Sequence, residues 1–222
     1  MATHFSGAAS PLQQAIDAVQ PLSEDLWTQV AAAHAGRKIT RTLFTSPERG
    51  SGTTVLAAAC GMGLARNLRQ ETTVVETNLL RPALSTYLGL PGMPGLSDML
   101  VGRAQLSESR FQVPGSPSLY GLPAGSARPA VPGEFADDRA QALLEGLSQM
   151  GRHVIFDAPP ITEHSEVLSL LAYVDAVVLV VRAGSTKKVQ AQKAVRIIKE
   201  SGVPLLGTIL NRFRSDDPLH RG

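Results

Sequence analysis

The chain has 222 residues, 43% of them apolar, with 21 basic and 19 acidic side chains and a formal net charge of +2. That is enough chain for one sizeable hydrophobic core, and so balanced a charge excludes a nucleic-acid protein that works through bulk positive charge. The single cysteine, Cys60, excludes a disulfide framework and reads as a small buried apolar residue.

In chain order, the opening MATHFSGAASPLQQ has no apolar core of a secretion signal. Residues 1–36 read as a helical appendage. Pro11–Val19 and Ser23–Ala35 have helical spacing, with Pro21 as a break, Ser23 as an N-cap and Gly36 as a stop. Trp27 on the second of these helices is either packed on the domain or presented to a partner.

A β-rich run, Ile39–Ser46, opens a domain that spans 37–213. It leads into Pro47-Glu48-Arg49-Gly50-Ser51-Gly52-Thr53-Thr54 and a helix predicted over Thr54–Arg69. Strand, Gly-rich turn and helix form the layout of a phosphate-binding loop. Its glycines let backbone N–H groups close on phosphate, its lysine offsets their charge, and its hydroxyl meets magnesium. Gly50, Ser51, Gly52, Thr53 and Thr54 are therefore the expected nucleotide-binding residues, with Thr54 as the metal-side hydroxyl. The lysine itself is missing, and Thr53 stands in its place. Losing that charge-assisted contact costs about 1.5–3 kcal/mol in the ground state. The loss in rate is on the order of 10²–10³-fold or more. Arg49, Arg81 and Arg182 are the candidates for replacing the charge.

A strand at Thr72–Thr77 runs into Asn78-Leu79-Leu80-Arg81-Pro82. The stretch from Leu90 to Pro132 is rich in Gly, Pro and Ser, with a short helix at Gly95–Leu100 and a strand at Leu119–Leu122. Helices at Phe135–Met150, Ser165–Leu171 and Thr186–Ser201 alternate with strands at His153–Asp157, Ala176–Arg182 and Leu205–Asn211, and residues 214–222 form a tail. Lys187, Lys188 and Lys193 read as a solvated helix face. The most apolar stretch, Val174–Val181, contains Asp175 and falls far short of the ~20 residues that span a membrane. The expectation is a cytoplasmic protein with no direct membrane insertion. Alternation of this kind predicts an α/β fold, a doubly wound and mostly parallel sheet, with strands covered on both faces.

In an open parallel sheet, ligands lie beyond the carboxyl ends of the strands. Glu76, Asp157 and Asn211 end three of the strands, so all three are expected to converge on the loop. Asp157 reads as the acid on the metal side with Thr54. Glu76 is either a vestigial catalytic carboxylate or an ordinary strand-end acid, and Asn211 either meets an adenine or holds the following turn. His4, His34, His153, His164 and His220 have no metal-ligand spacing and read as structural or solvated.

Taken together, these segments resemble the cytoplasmic domain of the bacterial tyrosine kinases of polysaccharide export (BY-kinases), within the MinD/ParA group of deviant P-loop ATPases, over roughly residues 20–213. Gly95-Leu96-Ser97-Asp98-Met99-Leu100-Val101-Gly102 is similar to the family's GLSDVLxG, Leu119–Gly125 to its LYVLPAG and Phe156–Pro160 to its IDTPP. The departures fall on the chemistry. Gly52-Thr53-Thr54-Val55 replaces Gly-Lys-Ser-Thr, and Glu76-Thr77-Asn78 replaces Asp-Ala-Asp. Trp27 and Val30 replace the two arginines that follow Glu24 in the family's self-association motif, and the tail lacks the tyrosine cluster on which these kinases act.

The resemblance with these departures implies a catalytically degenerate member, a regulatory or scaffolding partner in exopolysaccharide or capsule biosynthesis and export. It would dock on the cytoplasmic region of a membrane polysaccharide copolymerase, peripheral to the inner membrane through that partner, as a homo- or hetero-oligomer. ATP or ADP and magnesium would bind weakly or not at all. The alternative is an active ATPase or tyrosine kinase that uses a different basic residue, or a MinD/ParA-like positioning ATPase.

Overall fold

The computed structural model describes residues 39–67, 69–126, 135, 137–149 and 153–212. The helices expected at 11–19 and 23–35, Trp27 and the tail at 214–222 lie outside the described residues. In chain order the elements are β1 (Arg41–Thr45), α1 (Thr53–Asn67), β2 (Thr72–Glu76), α2 (Leu84–Leu88), α3 (Leu96–Leu100), α4 (Leu106–Ser109), β3 (Phe111–Gln112) and β4 (Leu119–Leu122). There follow α5 (Asp138–Gln149), β5 (His153–Asp157), α6 (Glu166–Leu170) with a 3₁₀ turn at Leu171–Tyr173, β6 (Ala176–Arg182), α7 (Lys188–Glu200) and β7 (Leu205–Asn211).

The strands form one seven-stranded sheet in the order β3-β4-β2-β5-β1-β6-β7. Every neighbouring pair is parallel except β3 with β4. The doubly wound α/β expectation therefore holds. The sequence reading missed β3, whose two residues give no period to detect, and the short helices α2 and α4.

Successive strand residues point to opposite faces, and this alternation builds two cores. Leu43, Val75, Phe156 and Val177 join one buried cluster with residues of α3, α5 and α6, while Phe44, Val74, Ile155 and Val178 join another with α1. Helix α1 lies close on its face because its inner side is small. A Cβ on Gly61 would sit 2.5 Å from the Val74 side chain. Cys60 beside it is fully buried, and burial pushes its thiol up to about 12, so it is an inert core residue. The close seat of α1 fixes the turn between β1 and α1 against the ends of β2 and β5.

Candidate functional site

The parallel strands bring Thr45, Glu76, Asp157, Arg182 and Asn211 to one edge of the sheet. The loop at 46–52 crosses that edge and is tied down on three sides. On the first side, the segment after β5 is stitched to it: Thr45 Oγ1 donates to Pro159 O at 2.7 Å, Ile161 N to Ser46 O at 3.0 Å, and Thr162 Oγ1 to Pro47 O. On the second, Thr186 Oγ1 donates to Glu48 Oε1 at 2.7 Å while accepting from Arg182 N at 3.0 Å, which joins the loop to the β6–α7 connection. On the third, Asn211 Nδ2 donates to Ser51 O at 2.7 Å. Within the loop, the Ser46 and Ser51 hydroxyls both donate to Glu48 O at 2.9 Å.

Two loop glycines are required by geometry. Gly50 (φ 76°) and Gly52 (φ 88°) lie in the left-handed region, where a side chain is strained. At Gly52 a Cβ would also collide with Asn211 Nδ2 at 2.2 Å. The Asn211 amide is engaged at both ends, since its Oδ1 accepts from Arg212 N at 2.8 Å. Asn211 thus ties its own turn to the loop.

Above the loop is a cleft of about 320 Å³ lined by residues 49–55, by Asn78, Leu80, Arg81 and Tyr87 beyond β2, by Ala158-Pro159-Pro160, and by His164 and Arg212. Among the described residues its lining carries the arginines Arg49, Arg81 and Arg212, no lysine and no carboxylate. Thr53 and Thr54 line it from the first turn of α1. The expected loop residues Gly50, Ser51, Gly52, Thr53 and Thr54 are therefore together, with Asn211 behind them. Arg182, a candidate charge donor, reaches to 3.9 Å from a Cβ position on Gly50.

The two strand-end acids differ. Glu76 is buried and spent on the backbone: Oε1 accepts from the amides of Ala83 and Leu84, and Oε2 from Ala124 N at 3.2 Å. Burial still raises its pKa above the usual carboxylate range, against the lowering effect of those three amides. Asp157, its register partner across β2 and β5, is 1% exposed, and neither carboxylate oxygen has a hydrogen bond of ordinary geometry. Burial pushes its pKa up to about 8; the nearby Thr54 hydroxyl lowers it and the Glu76 charge raises it further.

Thr54 and Asp157 are the pair whose chemistry fits a divalent cation, a hydroxyl oxygen beside a carboxylate that burial disfavours as an anion. No group of three or more His, Cys, Asp or Glu among the described residues could hold a metal by itself. An ion here would need phosphate oxygens to complete its shell.

Sequence reasoning did not place the acids at the cleft mouth, where His164 is held in keeping with its structural reading. Arg49 Nε donates to Glu163 Oε2 at 2.9 Å, and Arg49 Nη2 lies 3.5 Å from His164 Nε2. The other ring nitrogen of His164 meets Glu166 Oε1 at 3.0 Å. His164 had read as structural or solvated. Its place four residues after Pro160, on a segment that must pass the loop, was the available signal.

No protein-family model matches the chain. It is 23% identical over 189 residues to the putative tyrosine-protein kinase CapB of Staphylococcus aureus, covering 85% of this chain and 82% of that protein. To the tyrosine-protein kinase YwqD of Bacillus subtilis it is 27% identical over 185 residues, covering 83% and 77%. Among solved structures, the kinase domain of the Escherichia coli tyrosine kinase ETK matches with a TM-score of 0.81 at 19% identity, over 97% of this chain and 88% of that one. The chimeric protein CapA2B2 matches with a TM-score of 0.81 at 23% identity, over 88% and 86%. MinD of Pyrococcus horikoshii in complex with Mg-ADP matches with 0.67 at 22%, over 82% and 75%. The relatives are bacterial tyrosine-protein kinases, and the fold is that of BY-kinase domains and MinD-type P-loop ATPases.

Proposed function

From this shared fold, we propose that the chain is a catalytically degenerate BY-kinase-like protein. Its cleft takes the phosphates of a nucleotide but transfers them poorly, and its work is that of a regulatory or scaffolding partner in exopolysaccharide or capsule export. The observation that carries the reading is Thr53. A phosphoryl group in transfer spreads charge over its oxygens, and catalysis rests on fixed cations aimed at them. The loop offers a neutral hydroxyl where that cation belongs, and no lysine among the described residues lines the cleft. Asn78 lines it as a neutral amide, and Glu76 is occupied by backbone amides.

Thr54 and Asp157 are the residues that would hold magnesium, which when bound offsets phosphate charge. The loop amides and the first turn of α1 orient the phosphates, and Asn211 holds Ser51 in place for them. A domain that keeps its surface while losing these charges still associates with partners, because association rests on buried area and a few anchoring side chains. The partner proposed is the cytoplasmic region of a membrane polysaccharide copolymerase, which would hold the protein at the inner membrane. No helix among the described residues is long and apolar enough to cross a membrane.

The test is polymer export in cells. A Thr54→Ala/Asp157→Asn double variant at unchanged protein level is expected to export near normally, and a chain lacking residues 1–36 to fail. Export that collapses in the folded double variant refutes the scaffold reading. One observation favours a second reading, an active enzyme with a replacement cation: the arginines Arg49, Arg81 and Arg212 face the same cleft.

A further inference from the structure

We infer that Arg49 is the replacement phosphate-binding cation of this loop, and that Glu163 holds it in a latch which a nucleotide must open. The inference rests on the reading that the cleft takes nucleotide phosphates.

Arg81 lines the cleft from the turn after β2 and Arg212 from the turn after β7, while Arg49 belongs to the loop itself, four positions before Thr53. Arg49 lines the cleft, and its side chain ends on an acid outside it, with Nε 2.9 Å from Glu163 Oε2. Glu163 is not among the residues that line the cleft. One arginine therefore stands between the cleft and the acid that competes for it.

The latch has a fixed frame. Ile161 N and Thr162 Oγ1 bond the loop carbonyls of Ser46 and Pro47, so the backbone carrying Glu163 is anchored to the backbone carrying Arg49. His164 is fixed in turn by Glu166 and stands 3.5 Å from Arg49 Nη2. Opening the latch then needs only side-chain rotation of Arg49. The pair is weak enough to exchange, since the Arg49 and Glu163 side chains are 50% and 38% exposed, where water screens an ion pair heavily. A guanidinium gains more from a phosphate, which it meets with two parallel N–H donors and which carries more charge than one carboxylate.

The latch makes a prediction that a purely structural ion pair does not. Removing either partner of a structural pair would have the same effect, whereas removing the two halves of a latch has opposite effects. Binding of ATP and ADP is measured by calorimetry on the purified full chain, with thermal unfolding run on each variant to verify its fold. Arg49→Ala is expected to weaken binding about tenfold or more, and Arg49→Lys less. Glu163→Gln is expected to tighten it about three- to tenfold, and Arg49→Ala/Glu163→Gln to bind as weakly as Arg49→Ala alone. Equal weakening by Arg49→Ala and Glu163→Gln, or wild-type affinity in Arg49→Ala, overturns the latch and leaves the nucleotide reading standing. A wild-type chain that binds neither nucleotide at millimolar concentration overturns both.

Discussion

Glu76 and Asp157 end adjacent strands and are register partners, yet they have opposite surroundings. Three backbone amides converge on Glu76, two from the start of α2 and one from the segment after β4. Asp157 is as deeply buried and has no such donor. The lesson is that two carboxylates at one sheet edge have divided their roles. Glu76 has become architecture, joining β2 to the two segments it packs between. Asp157 is buried without such amides, at a standing cost to the fold.

The largest expected effect comes from breaking the architectural acid. Glu76→Ala strands two buried amides and one half-buried one, so unfolding by urea should report a loss on the order of 3–5 kcal/mol. Glu76→Gln keeps the shape but turns an NH₂ toward at least one amide, and should cost about half as much. If both variants unfold like the wild type, Glu76 has no structural role.

A smaller and pH-dependent effect is expected at Asp157. In the folded protein its pKa stands at about 8, against 3.8 for an ordinary aspartate. Between those values the unfolded chain has released the proton while the folded one keeps it. Wild-type stability therefore falls as pH rises from about 4 to about 8, and levels off above that. Asp157→Asn stays neutral throughout and escapes this fall. Its advantage over the wild type should grow from pH 5 toward pH 8, by at most ~1.4 kcal/mol per pH unit, and level off above that. A difference that stays flat over that range would show that burial of Asp157 is not the cost described here.

The smallest effect probes the loop after β1. Asn211→Ala removes the tie to Ser51 and should cost about 1 kcal/mol in stability. Nucleotide affinity should drop more clearly than stability, because the loop would no longer be held in its binding shape. Unchanged affinity in this variant would mean that Asn211 only holds its own turn.

The sheet was legible because its strands are short apolar runs, as in Ala176–Arg182, and because such runs alternated with helical spacing. That Glu76, Asp157 and Asn211 end strands at one edge of the sheet followed from parallel topology alone. The opposite fates of the two acids did not, because the donors to Glu76 come from residues 83, 84 and 124, and backbone amides leave no mark in a sequence. The short elements α2, α4 and β3 escaped because four or five residues, or two, cannot establish a period. Arg212 was missed although it follows Asn211 directly, since only its place in the cleft lining distinguishes it from a surface arginine.

The central claim, that the cleft keeps its frame and has lost its catalytic charge, is tested most directly by steady-state ATP hydrolysis of the purified protein with magnesium. The account predicts turnover at background for the wild type, while Thr53→Lys tightens nucleotide binding without producing autophosphorylation. Steady turnover by the wild type that disappears in Asp157→Ala would contradict it, and would establish a working enzyme with its cation in a new place.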